Sequence, residues 1–219
     1  MESILTPLLR SPQLPVYYRQ LGQLLSLEQK KRKQFYDSLT EDQKAEFING
    51  EVIVQTPVKM EHDAVSNRLN ILLHTFVSAH DLGYAAHEKL LVSLTRNDYE
   101  PDVCFWNKET ATTFQSKQVH FPAPDFIAEV ISPATESVDR NIKFEDYAAH
   151  GVREYWIVDA EKQVVEQYIL AGESYMLVQK TNSGRLESHA VPGFDLPAQA
   201  LFDRQAHLVA LRGMIASTR

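Results

Sequence analysis

The sequence has a single cysteine, no excess of basic residues and no long apolar run. With Cys104 alone, an internal disulfide bond is impossible, which fits a reducing cytoplasm. The net charge of −7 argues against a protein that wraps non-specifically around nucleic acid phosphates, but it permits a nuclease with a local basic cleft. No run approaches the roughly 18 apolar residues of a membrane span, and the first residues lack the order of a secretion signal. We therefore expect a cytoplasmic protein.

Several common catalytic motifs are also missing. The chain has no GxGxxG or P-loop pattern for phosphate, no GxSxG pattern for a nucleophilic serine and no HExxH pattern for zinc. The candidate chemistry therefore has to come from acidic, basic and histidine side chains that lie far apart in the sequence.

The length and composition are those of an ordinary globular protein, with 219 residues of which 44% are hydrophobic and 23% charged. This length is enough for one large core and a small accessory segment. We predict an N-terminal helical arm over residues 1–37 and a single domain over residues 38–219. Capping-box patterns at Ser26–Gln29 and Thr40–Gln43 each predict the start of a helix.

Hydrophobic spacing in the first half of the domain predicts both helices and strands. Asn49-Gly50 is a strong hairpin signal between two short apolar runs. Apolar residues at helical spacing predict a helix from Glu61 to about His80. Two long strands are predicted after it, Tyr84–Leu94 and Tyr99–Trp106.

The stretch from Pro124 to Asp159 predicts a strand, a helix and a second strand. The strands are Phe126–Ile131 and Tyr155–Val158, and the helix runs from about Val138 to Ala149, where His150-Gly151 closes it. Three further strands, Val164–Leu170, Ser174–Lys180 and Arg185–Val191, predict an antiparallel meander, and a short helix is predicted over Gln205–Ile215. The fold class is therefore α/β, with a mixed α+β sheet flanked by helices.

Acidic residues stand at unusual places in this pattern. Because side chains alternate along a strand, Asp125 and Glu129 point to the same face. A carboxylate inside an apolar strand is costly to desolvate unless it has a partner. Asp102 heads a second apolar strand, and Asp139 and Lys143 lie four residues apart on one helix face.

Two carboxylates at the ends of strands would form a hard oxygen site of the kind that Mg²⁺ or Mn²⁺ prefers. A lysine beside them could orient or deprotonate water, or neutralise phosphate charge. Together these groups suffice for phosphodiester hydrolysis. The structural alternative is that Asp102 only ends a strand, that Glu129 pairs with an arginine and that Lys143 pairs with a helix neighbour.

Five segments together resemble the Uma-type family of restriction endonucleases, within the PD-(D/E)XK nuclease superfamily. They are NGEVIV with a downstream histidine, YEPDVCFW, PDFIAEVISP, the D-x-x-x-K helix and GVREYWIVD. The resemblance covers roughly residues 38 to 200. It implies a restriction-endonuclease-like core, followed here by the C-terminal antiparallel meander. It also implies cleavage of DNA that depends on Mg²⁺ or Mn²⁺.

By position, the resemblance implies that Asp102 and Glu129 are catalytic metal ligands, helped by the backbone carbonyl of Val130. The superfamily's lysine position is occupied by Ile131, and Lys143 resembles the relocated lysine of this family. Lys143 is therefore the third expected catalytic residue. Supporting roles are expected for three further residues, which are Glu51, His62 and Asp125.

Two functions follow as hypotheses. The first is a metal-dependent endodeoxyribonuclease with Lys89, Arg96, Arg140, Lys143 and Arg153 around its cleft. The second is a non-enzymatic module on a degenerate nuclease-like fold that binds nucleic acid or a protein. Cleavage of both strands requires two active sites, so we expect a homodimer, with the meander edges as candidate interfaces.

Overall fold

The structure, a computed structural model, describes residues 5–40 and 43–216. The α-helices are α1 Thr6–Leu9, α2 Leu14–Ser38, α3 Met60–Ala79, α4 Lys108–Ala111, α5 Phe144–Ala149 and α6 Arg204–Ala216. A π-helix, Val138–Lys143, leads directly into α5, and a 3₁₀-helix spans Ala198–Leu201. None of the helices in the described ranges is long and apolar enough to cross a membrane.

The strands are short to medium in length. They are β1 Ala45–Ile48, β2 Glu51–Val54, β3 Gly83–His87, β4 Leu91–Ser93, β5 Asp98–Tyr99, β6 Val103–Asn107, β7 His120–Phe121, β8 Phe126–Ile131, β9 Glu154–Asp159, β10 Val164–Ala171, β11 Ser174–Thr181, β12 Arg185–Glu187 and β13 Asp195–Pro197.

The chain divides into two units. The N-terminal unit takes the described residues of 1–55 and 96–99, and the main unit takes those of 56–95 and 100–219. The N-terminal unit extends past the predicted arm because it also contains the β1–β2 hairpin and β5. The predicted division at residue 38 stays a prediction.

In the N-terminal unit, α2 is one continuous helix, so the predicted helix start at Ser26 is wrong. The second capping box includes residues 41 and 42, which lie outside the described residues. The predicted hairpin is confirmed: β1 and β2 pair antiparallel, and Asn49 and Gly50 have φ values of 51° and 85°. Positive φ at both turn positions is what a type I′ turn needs and what Asn-Gly favours.

A buried acid ties α2 to β5 within the same unit. Asp98 accepts hydrogen bonds from Arg32 Nε at 2.6 Å and from the Tyr36 hydroxyl at 2.9 Å. Burial alone would lower the pKa of Arg32, but the hydrogen bond to Asp98 raises it overall. This ion pair is therefore structural.

The main unit is built on a six-stranded mixed sheet in the order β11-β10-β9-β8-β6-β3. Strands β8 and β9 are parallel, as expected for the predicted strand–helix–strand stretch, and the other neighbours are antiparallel. The predicted α/β sheet flanked by helices is confirmed. The meander consists of β9, β10 and β11, whereas β12, predicted as its third strand, pairs with β13 in a separate small sheet.

Strand alternation separates the two faces of β8. Phe126, Ala128 and Val130 belong to the main hydrophobic core, together with the apolar residues of α3. Because alternate side chains point in opposite directions, Glu129 faces away from that core, towards the π-helix and α5. The predicted helix over residues 138–149 is confirmed, and Gly151 follows it with a φ of 76°.

Both of the predicted long strands are interrupted. Residues 84–94 form β3 and β4, separated at Glu88 and Lys89, whose φ values of 48° and 54° are incompatible with a strand. Residues 99–106 form the end of β5 and most of β6, separated around Pro101, which has no amide hydrogen for a ladder. The second break leaves Asp102 directly before β6.

Candidate active site

Asp102, directly before β6, lies beside Glu129 on the neighbouring strand β8. Val103 in β6 pairs with Ala128 in β8, and the two strands are antiparallel. Asp102, just before Val103, therefore lies opposite Glu129, just after Ala128. The Val130 amide donates to Asp102 Oδ2 at 2.9 Å, and the Asp102 amide donates to Glu129 Oε2 at 3.4 Å. Both acids are buried, with about 4% and 3% of their surface exposed. The structure therefore brings the two predicted ligands together.

Lys143 reaches the same place from the end of the π-helix. Its Nζ donates to Glu129 Oε1 at 3.0 Å and lies 3.2 Å from Asp139 Oδ1. The contact with Asp139 is an ion pair and not a hydrogen bond. All three side chains are buried, so Lys143 is more than the partner of a helix neighbour on a solvated face.

Tyr147 was not predicted from the sequence. It lies one helical turn after Lys143 and is completely buried. Its hydroxyl donates to Glu129 Oε1 at 2.9 Å, the oxygen that Lys143 also contacts. The four-residue spacing from Lys143 was the available signal, since it places both residues on one helix face.

His62 joins this group from the first turn of α3. Its Nε2 lies 3.3 Å from Asp102 Oδ2, and its side chain is about 90% buried. At this distance the ring lies in contact with the Asp102 carboxylate and forms an ion pair with it when protonated. The structure thus brings together four of the six predicted site residues, namely His62, Asp102, Glu129 and Lys143.

The other two predicted residues are Asp125 and Glu51. Asp125 comes directly before β8, about 13 Å along the extended chain from Glu129. Its Oδ2 accepts hydrogen bonds from the backbone and side-chain nitrogens of Asn107, both at 2.8 Å. These bonds connect Asp125 to Asn107, so Asp125 has a structural role at the end of β8 away from Glu129. Glu51 is exposed on β2 and belongs to the N-terminal unit, so its supporting role stays a prediction.

A family model described as "Uma2: Putative restriction endonuclease" matches residues 32–199. The chain belongs to the Uma2 family. This confirms the resemblance found in the sequence, and it supports a nuclease function in general terms. An uncharacterized protein from Synechocystis sp., sll1609, is 28% identical over 138 residues, which are 62% of this chain and 77% of that protein.

A solved structure shares the fold of this Uma2 protein. It is the crystal structure of "a putative nuclease belonging to DUF820" from Anabaena variabilis, with a TM-score of 0.67 and 16% sequence identity. The match covers 78% of this chain and 96% of the other. At this identity the likeness shows the fold alone, and it confirms the predicted nuclease-like core.

Most of the basic residues predicted around the cleft of this Uma2 protein form ion pairs with other acidic residues. Arg140 donates to Glu136 at 2.8 Å and to both oxygens of Glu166. The hydrogen bond to Glu166 raises the pKa of Arg140. Burial opposes ionisation of Glu166, but hydrogen bonds from Arg140, Tyr168 and Lys180 lower its pKa to about 2. Arg140 is therefore held in a structural cluster.

The remaining predicted cations also differ in their surroundings. Arg153 lies 3.4 Å from Asp125, at the end of β8 opposite to Glu129. Arg96 pairs with Glu28 inside the N-terminal unit. Lys89 is exposed and follows Glu88, whose amide donates to the Asp102 carbonyl at 3.1 Å. After Lys143, Lys89 is therefore the predicted cation with the clearest link to the acidic pair.

The buried acids influence their neighbours. Burial, followed by the charge of Glu129, raises the pKa of Cys104 well above its usual value. Burial, followed by the charges of Asp139 and Glu129, raises the pKa of Tyr155 in the same direction. A raised pKa keeps Cys104 in the thiol form, whereas the thiolate is the nucleophile. Cys104 is therefore a core residue of the Uma2 fold, as expected.

The donor set fits a hard cation with few protein ligands. Within residues 5–40 and 43–216, no group of three or more histidine, cysteine, aspartate or glutamate residues is arranged to hold a metal ion. Mg²⁺ does not need such a group, because it commonly takes one or two carboxylates and completes its shell with water and phosphate oxygens. Asp102 and Glu129 are two such carboxylates, oriented by hydrogen bonds from Val130, Lys143 and Tyr147.

Proposed function

We propose that this protein is a Mg²⁺-dependent endonuclease that hydrolyses phosphodiester bonds in DNA, with Asp102, Glu129 and Lys143 as its catalytic residues. The observation that supports this best is the contact of Lys143 Nζ with Glu129 Oε1 at 3.0 Å, beside Asp102. It places a lysine next to the acidic pair although Ile131 occupies the usual lysine position. Two acids and one lysine are the groups that this chemistry requires.

In this proposal Asp102 and Glu129 hold the cation, with the Val130 carbonyl as a further oxygen donor. Mn²⁺ would be accepted as well, since it favours the same oxygen ligands. When bound, Mg²⁺ supplies positive charge beside the phosphate and lowers the pKa of water. His62 would act through Asp102, because its ring lies 3.3 Å from that carboxylate.

Lys143 acts on the substrate. Glu129 and Asp139 fix the position of its ammonium group, which can then donate to a phosphate oxygen or to the attacking water. The oxygen of that water forms a new bond to phosphorus as the bond to the sugar oxygen breaks. The departing oxygen takes up a proton, and the water loses one, so the reaction is a hydrolysis without any other reactant.

We also propose that the protein acts in the cytoplasm as a homodimer, since cutting both strands of a duplex needs two active sites. The candidate interface is β11, the edge strand of the six-stranded sheet. Three of its apolar residues, Met176, Leu177 and Val178, are each at least 40% exposed. An apolar edge strand is a common place for pairing with another chain.

The test is nicking of supercoiled plasmid and of single-stranded DNA by the full chain. Cleavage is expected with Mg²⁺ or Mn²⁺, is expected to stop with a chelator, and should be absent in Asp102→Asn. A wild-type protein that cleaves neither substrate with either metal would contradict the proposed activity.

The second candidate is a non-enzymatic module that binds DNA or a protein on a degenerate nuclease fold. Ile131, which stands where the superfamily has its lysine, favours this alternative, as does the net charge of −7. Binding of DNA without cleavage, at unchanged affinity in the Asp102→Asn variant, would support this alternative.

A further inference from the structure

Glu129 receives two hydrogen bonds on one oxygen from a single helix face. The Lys143 ammonium lies 3.0 Å from Oε1 and the Tyr147 hydroxyl lies 2.9 Å from the same atom. The other oxygen, Oε2, lies on the side of Asp102, whose amide is 3.4 Å away. The two oxygens of this carboxylate therefore have different surroundings.

The position of the Tyr147 hydroxyl is set by packing. The ring is completely buried and lies edge-on to Tyr155, with ring centres 5.3 Å apart. Tyr155 is itself fixed, because its hydroxyl donates to the Asp139 carbonyl at 3.2 Å. A tyrosine has only two side-chain torsions, so a held ring also holds its hydroxyl. Tyr147 is thus a rigid donor to Glu129, beside the ammonium group of Lys143.

We infer that Tyr147 is a positioning residue that makes Glu129 bind a cation through one oxygen, Oε2. This inference rests on the proposed function, since it concerns the same cation. The hydroxyl keeps Oε1 engaged, and the carboxylate cannot turn to present both oxygens at once without breaking that bond.

Single-oxygen ligation has a consequence for the choice of metal. Mg²⁺ requires near-ideal octahedral geometry at short distances, whereas Ca²⁺ is larger and accepts carboxylates that bind through both oxygens. A carboxylate locked by Tyr147 therefore favours Mg²⁺. Without the Tyr147 hydroxyl, Oε1 keeps only its contact with Lys143. One contact restrains rotation of the carboxylate less than two, and this weakens Mg²⁺ binding more than Ca²⁺ binding. Loss of such an outer partner usually costs about 10–100-fold in metal affinity.

The test variant is Tyr147→Phe, which keeps the ring and removes only the donor. The matched control is Tyr175→Phe, in the same aromatic cluster, whose hydroxyl donates to the Val152 carbonyl at 2.8 Å and whose ring lies 5.8 Å from Tyr155. Each variant loses one hydrogen bond of a largely buried tyrosine, so both should lower the Tm.

The measurement is calorimetric titration of the full chain with Mg²⁺, Mn²⁺ or Ca²⁺ alone, without DNA. Tyr147→Phe should bind Mg²⁺ about 10–100-fold more weakly, with a smaller loss for Ca²⁺. Tyr175→Phe should bind all three ions like the wild type. Wild-type affinities in Tyr147→Phe, or equal losses in both variants, would overturn the role of Tyr147 and leave the proposed function intact. A wild-type protein that binds none of the ions would overturn both.

A second measurement covers the case in which Tyr147→Phe does not fold. Because the Tyr147 hydroxyl donates to Glu129, a change in the charge at that carboxylate alters the tyrosine absorption. Titration of the wild type with Mg²⁺ should shift its near-ultraviolet tyrosine spectrum until the site is saturated, and Glu129→Gln should show no such shift. A flat spectrum in a wild-type sample that binds Mg²⁺ would reject the inference.

Discussion

The amide of Asp102 lies 3.4 Å from Oε2 of Glu129, although 27 residues separate the two in the sequence. Their proximity follows from the pairing of β6 and β8 in the centre of the six-stranded sheet. Sites on strands are held more precisely than sites on loops. The relative position of the two acids is therefore set by the sheet itself.

Replacement of Asp102 should remove the effect of metal on stability. A cation that binds only the folded protein stabilises it by about 2.7 kcal/mol at a concentration 100 times its Kd. Thermal melts with and without Mg²⁺ or Mn²⁺ should show a rise in Tm for the wild type and none for Asp102→Ala. The matched control is Asp125→Ala, at the other end of β8, which should lower the Tm but keep the metal-dependent rise. An unchanged rise in both Asp102→Ala and Glu129→Ala would reject the site.

Replacement of Lys143 should reduce both activity and stability. If the ammonium acts on water or phosphate, Lys143→Ala should lose about 10²–10⁴-fold in single-turnover cleavage. The change also leaves Glu129 and Asp139 buried without their cation, so the Tm should fall at neutral pH. Added Mg²⁺ should restore part of that fall, because it supplies positive charge beside Glu129. Lys143→Arg keeps the charge with a different shape and should rescue cleavage poorly.

The exposed Lys162 on the β9–β10 turn is the matched control for Lys143. It pairs with Asp159 at 2.7 Å and is 72% accessible. Lys162→Ala should change cleavage and Tm very little. Wild-type cleavage by Lys143→Ala would remove the lysine from the mechanism and leave the two acids alone.

DNA binding should weaken as salt increases despite the net charge of −7, because phosphate contacts release counterions. Since Arg140, Arg153 and Arg96 are engaged by acids, we expect a shallow dependence with few contacts. Lys89→Gln should reduce the slope of log K against log salt by about one. Lys108→Gln, an exposed lysine that pairs with Asp81, is the control and should leave the slope unchanged. Binding that does not depend on salt would argue against phosphate contacts altogether.

Acid should destabilise the protein through Glu166. Its pKa of about 2 in the folded chain lies below its usual value of 4.5, so the ionised form stabilises the fold. This contribution is fully present above about pH 4.5 and disappears as the pH falls towards 2. The free energy of unfolding, measured in urea from pH 7 to pH 2, should therefore fall less steeply in Glu166→Gln than in the wild type. Parallel curves would contradict the assigned pKa.

Asp102 and Glu129 could be picked out because each stands out from its local pattern, and Lys143 because it resembles the relocated lysine of the family. Glu129 is an acid in an apolar strand, and Asp102 follows a proline at the head of another. Tyr147 was missed because a tyrosine at an apolar helix position is usually a core residue, and only the contact with Glu129 distinguishes it. Sequence spacing along one helix does not reveal which distant strand that helix faces.

Other differences between the predicted and the observed structure also have specific causes. The predicted strand over residues 84–94 was interrupted by left-handed Glu88 and Lys89, residue types that rarely signal such a conformation. Arg140 was predicted to line a basic cleft, but it pairs with Glu166 on β10. Short-range sequence patterns do not reveal a partner so far along the chain. By contrast, the Asn49-Gly50 hairpin and the helix α3 depend on turn chemistry and periodicity alone, and both were predicted correctly.

The π-helix before α5 makes this part of the chain tolerant of one particular change in length. Its hydrogen bonds span five residues, so a turn of it holds about one residue more than a turn of an α-helix. Deleting one residue between Asp139 and Lys143 would let the segment become an ordinary α-helix, in which these two residues, then three apart, still share a face. In an ordinary α-helix the same deletion turns one side by about 100° relative to the other. Single-codon deletions should therefore be tolerated better between Asp139 and Lys143 than inside α3.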